Sequence, residues 1–148
     1  KMTDLTMTVE RTINAPQKTV FDAWLDPAML ARFMMPGPDM SVPVATTEAR
    51  VGGDFHITMR VGDNDIPHNG TYKEISPHDR LVFTWYGPTP ADDSTVTLTF
   101  TTVENGTHVS LSHDRFMSEE SRDNHKLGWT GILMTLDQVV TKDEAQDA

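Results

Sequence analysis

The chain is predicted to fold as an α+β domain: a strongly curved antiparallel sheet of about seven strands wrapped around one long C-terminal helix, with two short helices after strand one. Three observations predict it. Period-two apolar alternation recurs along the chain between short turn signals. Two proline-marked helical segments interrupt the first two strands. The last well-patterned stretch, "HKLGWTGILMTLDQVV", repeats Trp129, Leu133, Leu136 and Val140 at helical spacing. One-sided strands need a cover over their apolar face, and this final helix is the only element long enough to provide it.

The elements follow in order. "LTMTVERTI", residues 5–13, alternates apolar and polar side chains and reads as a strand. Pro16 suits a first helical position, with Val20, Phe21 and Trp24 following at helical spacing. Asp26-Pro27 repeats the cap-then-proline signal for a second short helix carrying Leu30 and Phe33, ended by "MMPGPDM". "SVPVATTEAR" is a weak strand that Pro43 demotes to a sheet edge, where pairing across a dimer is mildly disfavoured. Gly52-Gly53 turns into "DFHITMRV", "GDND" marks a hairpin, and "IPHNGTYKEI", "SPHD" and "RLVFTWY" give strand, turn and strand. The loop "GPTPADD" leads to "STVTLTFTTV", the cleanest alternation, and "ENG" turns it into "THVSLSH". Ser118 with Glu119 and Glu120 then opens the final helix, acid being favourable at the positive end of the dipole.

The 148 residues suit a single domain with its core at about 5–141. No cysteine is present, which removes disulfides and thiol chemistry and fits a reducing compartment. Acidic residues outnumber basic ones by 22 to 12, a formal charge of −10. That disfavours nucleic acid and anionic membranes as partners, since both demand basic patches. Neither a membrane-length apolar run nor a signal pattern is seen, so the cytoplasm is the expected location. Lys1 in first place suggests that the natural start lies upstream or has been replaced.

Catalytic motifs are absent: no phosphate-binding glycine-lysine loop, no HExxH, no GxSxG and no dinucleotide turn. Attention therefore falls on the concave face. Trp24, Phe33, Phe55, Met59, Tyr72, Phe83, Trp85, Phe100, Trp129, Leu133 and Met134 are candidates to line an apolar site, against the plainer reading that most are core. His113 follows Val109 and Leu111 in parity, and His125 stands one turn before Trp129, so both are candidate polar groups of a pocket. The plainer alternative is a hydrogen-bonded histidine at an element end. His68 shares parity with Tyr72, whereas His56 alternates with Phe55 and Ile57 and should face outward. Arg11 has the parity of Val9 and Ile13 and is a possible anchor for a ligand carboxylate, or else a structural ion pair. Glu48 and Glu74 are not spaced as an acid–base pair, and no histidine spacing supports a metal site. Met34-Met35-Pro36-Gly37 is expected to be an exposed loop, serving as an entrance, a partner surface or a plug. Gly128 and Gly131 imply either close packing or a preserved void.

The segments "INAPQKTVFDAWLDPAMLARFM", "GGDFHITMR", "NGTYKEISPHDRLVFTW" and "HKLGWTGILMTL" resemble, in order, the START-like (SRPBCC, helix-grip) superfamily. More narrowly, they resemble homologues of the C-terminal domain of the activator of the heat-shock-protein-90 ATPase. The combined pattern Ala15-Pro16, Trp24, Asp26-Pro27, Gly53, Gly70, Trp85 and Gly128-Trp129 carries the resemblance. It implies seven antiparallel strands gripping a C-terminal helix, with a pocket between them. The additional N-terminal domain of full-length chaperone activators is not expected within these 148 residues, a departure from that pattern.

Fold does not select an activity here. The leading expectation is a binding protein for a small apolar or amphipathic ligand, without turnover and without a cofactor or metal. A co-chaperone-like protein-interaction module is the alternative, with a chaperone or other protein as partner. A cofactor-free cyclase, hydrolase or isomerase using Arg11, Tyr72, His113 and His125 is the third reading. A monomer and a dimer are both compatible with the sequence. A ligand site should reach the surface near residues 34–40 or the start of the final helix.

Overall fold

The computed structural model describes residues 5–87 and 94–147; most of the loop "GPTPADD" lies outside the described residues. β1 (Leu5–Ile13) is followed by α1 (Gln17–Asp22), α2 (Pro27–Phe33), β2 (Met40–Thr47), β3 (Asp54–Val61) and β4 (Asn64–Ser76). Then come β5 (Arg80–Thr84), β6 (Thr95–Val103), β7 (Gly106–Phe116) and α3 (Glu119–Asp147). The strands form one seven-stranded sheet in the order β1-β7-β6-β5-β4-β3-β2. Every pairing is antiparallel. β2 to β7 form a meander joined by short connections, and β1 closes onto β7 because α1 and α2 carry the chain across to the far edge. This is the predicted class: a curved sheet, an early helix pair and a long C-terminal helix.

Helix starts follow their local chemistry. Asp26 caps α2, its Oδ1 accepting from the Ala28 amide at 2.9 Å with Pro27 in the first turn. Pro16 is the residue before α1 rather than its first helical position. Ser118 Oγ accepts from the Ser121 amide at 3.0 Å, as a cap for α3 should.

Strand limits differ where the backbone is irregular. β2 ends at Thr47, short of the expected Arg50, and its register slips between Ser41 and Val44. Pro43, which has no amide proton, sits within that slip on an edge strand. β5 ends at Thr84 instead of Tyr86, which makes an isolated bridge to Asn69. β4 starts at Asn64 and β7 extends to Phe116, each longer than the alternation indicated.

The core lies between the concave face and α3. Ile13, Leu81, Val96, Leu98, Val109, Leu111 and Leu136 are entirely buried. Each such side chain contributes roughly 1.5–3 kcal/mol relative to exposure. Polar ties pin α3 in place. Arg11 Nε donates to Asp137 at 2.7 Å, and Arg32 grips Asp143 through both terminal nitrogens at 2.8 and 3.0 Å. Arg11 thus joins β1 to α3, which is the structural ion pair and not a free anchor for a ligand. The expected exposed methionine loop is also corrected: Met34 is buried and Met35 packs partly against the core. Two apolar side chains directly after α2 serve the interior better than the surface.

Candidate functional site

Most of the space between sheet and helix is filled. Trp24, Leu30, Met34, Phe55, Ile57, Tyr72, Phe83 and Trp85 line a space of only about 10 Å³, the size of about one water molecule. Trp24 Nε1, in its wall, is buried and unpartnered. Burial pushes the Tyr72 phenol upward, so it stays protonated.

The larger apolar space lies across Trp85. A cleft of about 390 Å³ opens there, within the usual ligand-site range of roughly 300–1,000 Å³. Met40, Met59, Ile66 and His68 from β2, β3 and β4, with Trp85 just after β5, form one wall. Asn124, His125, Gly128, Trp129 and Ile132 from α3 form the other, and Pro36 sits at the lip. No lysine, arginine, aspartate or glutamate is among these residues.

Ring contacts, one stacked and one tilted, hold the walls. His68 lies on Trp85 at 4.9 Å between centroids and 26° between planes, and Trp85 meets Trp129 at 4.9 Å and 57°. Trp129 is fixed in turn: its Nε1 donates to His113 Nδ1 at 3.0 Å. His113 must then carry its proton on Nε2, which donates to Ser94 Oγ at 2.7 Å. All three groups are buried, and the network is closed. Burial, with His125 nearby, pushes His113 down to about 3, so it is a neutral ring at ordinary pH.

His125 occupies the cleft side of this network. Its ring lies 5.2 Å from His113 and 5.0 Å from Phe116. Its Nδ1 donates to the Ser121 carbonyl at 2.8 Å, while Nε2 has no hydrogen bond among the described residues. The ring is therefore oriented by its own helix and keeps one nitrogen unspent. His68 is pushed down to about 4, chiefly by burial; the backbone of Ile57 and Ile66 favours its proton, and His125 and His56 oppose it. Its Nδ1 is buried without a hydrogen bond of good geometry.

The two helix glycines divide the roles that the sequence left undecided. A Cβ at Gly131 would stand 2.0 Å from the Pro36 carbonyl oxygen, so that glycine permits backbone contact between α3 and the loop after α2. A Cβ at Gly128 would meet only Pro36 Cγ, at 3.8 Å. Gly128 therefore lines the cleft without being required by packing.

The candidate residues are distributed unevenly. Met59, Trp85, His125 and Trp129 line the open cleft, while Trp24, Phe55, Tyr72, Phe83 and again Trp85 line the small space. His113 stands behind Trp129 as its support. Phe33 and Phe100 are plain core, edged against Trp24 at 5.0 Å and Phe21 at 5.2 Å, and Leu133 is buried in the core cluster. Met134 turns outward and is half exposed. Arg11 is far in role from either space, committed to Asp137. His56 bonds Asn69 at 2.6 Å and Thr58 at 2.7 Å on the outer side, as its parity predicts. Pro36, Met40, Ile66, His68, Asn124 and Ile132 join the cleft beyond the candidates proposed from sequence. Parity marks His68, but Pro36 and Met40 belong to a loop and an edge whose approach to α3 no local pattern encodes.

The whole architecture has relatives. Protein CV1439 from Chromobacterium violaceum is 26% identical, with a TM-score of 0.82 over 91% of this chain and 96% of that one. An AHSA1-like protein from Aeromonas hydrophila is 24% identical, with a TM-score of 0.82 over 95% and 94%. The Aha1 dimer from Colwellia psychrerythraea shares the fold at 16% identity, with a TM-score of 0.73 over 92% and 96%. No curated protein matches. The family model described as activator of Hsp90 ATPase homolog 1-like protein matches residues 14–141, and the chain belongs to that family.

Proposed function

We propose that the protein binds a small, compact, largely apolar molecule in the cleft between the sheet and the start of α3, without turnover. One observation carries the reading: the cleft is open, walled by Trp85, Trp129, Met59, Ile66 and Ile132, and has no formally charged acid, lysine or arginine in its lining. An apolar lining with a few placed polar groups is the usual composition of a ligand site. The void beyond Trp85, about 10 Å³, has no space for a long acyl tail, which favours a compact occupant.

The test is native mass spectrometry of purified protein against its denatured mass, followed by thermal shift with a panel of small aromatics and fatty acids. A lost adduct or a saturable rise in Tm with compact aromatics supports the reading. No adduct and no shift across the panel overturns it.

A second reading, a protein-interaction module, draws on the family description and on two side chains. Leu127 is 74% exposed and Met134 44% exposed, seven residues apart on one face of α3. Saturable binding of a purified heat-shock-protein-90 chaperone, lost on Leu127→Ser with Met134→Ser, is the outcome that would favour it.

A further inference from the structure

The cleft contains a polar feature whose purpose packing does not supply. His125 is oriented as if for use: Nδ1–H is committed to the Ser121 carbonyl at 2.8 Å, so the neutral ring can offer Nε2 only as an acceptor. That nitrogen has no partner among the described residues. The other imidazole of the lining, His68, is stacked on Trp85, and its unpartnered Nδ1 is buried out of a ligand's reach. His113 is spent at both nitrogens, on Trp129 and Ser94. Asn124 is exposed at the rim, and no carboxylate or cation lines the cleft. A ligand that completes the site must therefore bring the donor, and bring it without a full charge, because no counter-ion is available to a buried one.

The walls decide the shape of the rest. His68, Trp85 and Trp129 present rings in a continuous series, with successive centroids 4.9 Å apart. Flat faces are best covered by a flat partner in offset or edge contact. The space behind Trp85, about 10 Å³, is too small for a long chain.

We infer that the cleft takes a planar aromatic molecule bearing a hydroxyl, of the phenol class, whose O–H donates to His125 Nε2 while its rings lie against Trp85 and Trp129. This inference rests on the proposed binding function and adds the chemical class and the residue that reads it. The hydroxyl replaces the water that Nε2 would otherwise use, so an analogue without the proton leaves a desolvated acceptor unpaired.

Isothermal titration with 2-naphthol and 2-methoxynaphthalene tests this, because the two probes share rings and oxygen but only the first has a donor. The expected result is about 10-fold tighter binding of 2-naphthol, the upper end for one neutral hydrogen bond. His125→Leu should bring the two affinities together while keeping the binding of the ether. The ring-nitrogen NMR signal of His125 Nε2 in the unmodified protein provides a check that needs no variant: it should move with 2-naphthol and not with the ether. Equal affinities for the two probes, a preference that survives His125→Leu, or an unmoved Nε2 signal would overturn the phenol inference and leave ligand binding standing. Absence of binding by either probe, together with failure of the wider ligand panel, would remove both.

Discussion

His113 shows how one side chain can be structural and still leave a functional signature. The Trp129 indole and Ser94 hydroxyl hold it as a neutral ring, and burial lowers its folded-state pKa to about 3. In the unfolded chain a histidine titrates near about 6.5. Between those values the unfolded state binds more protons, so stability falls as the pH falls, by up to about 1.4 kcal/mol per pH unit. The contribution is complete above the unfolded value and is lost on acidification toward the folded one. His68, lowered to about 4, acts in the same direction over a narrower window. The expected outcome is a Tm that declines steadily from neutral pH into this acid range. His113→Gln should be less stable at neutral pH yet lose less on acidification. An unchanged acid slope in that variant would show that the sensitivity resides elsewhere.

At the scale of the element, α3 is a helix whose two glycines have opposite consequences. Gly131→Ala forces a methyl into the Pro36 carbonyl, 2.0 Å away, and should cost about 1–3 kcal/mol in urea unfolding. Gly128→Ala meets only ordinary contact at 3.8 Å and should stabilise by up to about 1 kcal/mol through helix propensity. It should also weaken small-ligand binding, since the methyl projects into the cleft. Equal effects of the two substitutions would contradict the distinction. The helical period of Trp129, Leu133, Leu136 and Val140 announces the buried face of α3, and Ser118 announces its start. Which glycine serves packing is invisible there, because Pro36 reaches α3 from almost a hundred residues away in sequence. Likewise the parity of Arg11 with Val9 correctly indicates the α3 side of β1, yet Asp137 as its partner emerges only when helix and strand are superposed.

For the molecule as a whole, charge and compaction oppose each other. A formal charge of −10 drawn from 22 acidic residues makes the folded state self-repelling. Exposed ion pairs such as Lys18–Asp22 and Arg60–Asp65 are partly exposed and offset little of this. Added salt screens long-range repulsion. The urea midpoint should therefore rise between low salt and roughly physiological ionic strength, where the Debye length falls to about 8 Å. A midpoint that fell over this range would indicate that attractive pairs, such as Arg32–Asp143, dominate the balance.

The local chemistry of the sequence determined the elements and their class: alternation places apolar side chains on one face of each strand, and proline and serine mark where helices begin. It also determined that His113 points inward, because parity dictates the face of a strand. The tertiary structure alone decided which apolar side chains became core and which became wall. Phe100 satisfies the same alternation as Phe55 and Trp85, but the Phe21 ring closes over it. The cleft exists because α3, the edge strand and the loop after α2 meet imperfectly around Gly128. An imperfect fit is a property of three surfaces brought together, and no single segment contains it.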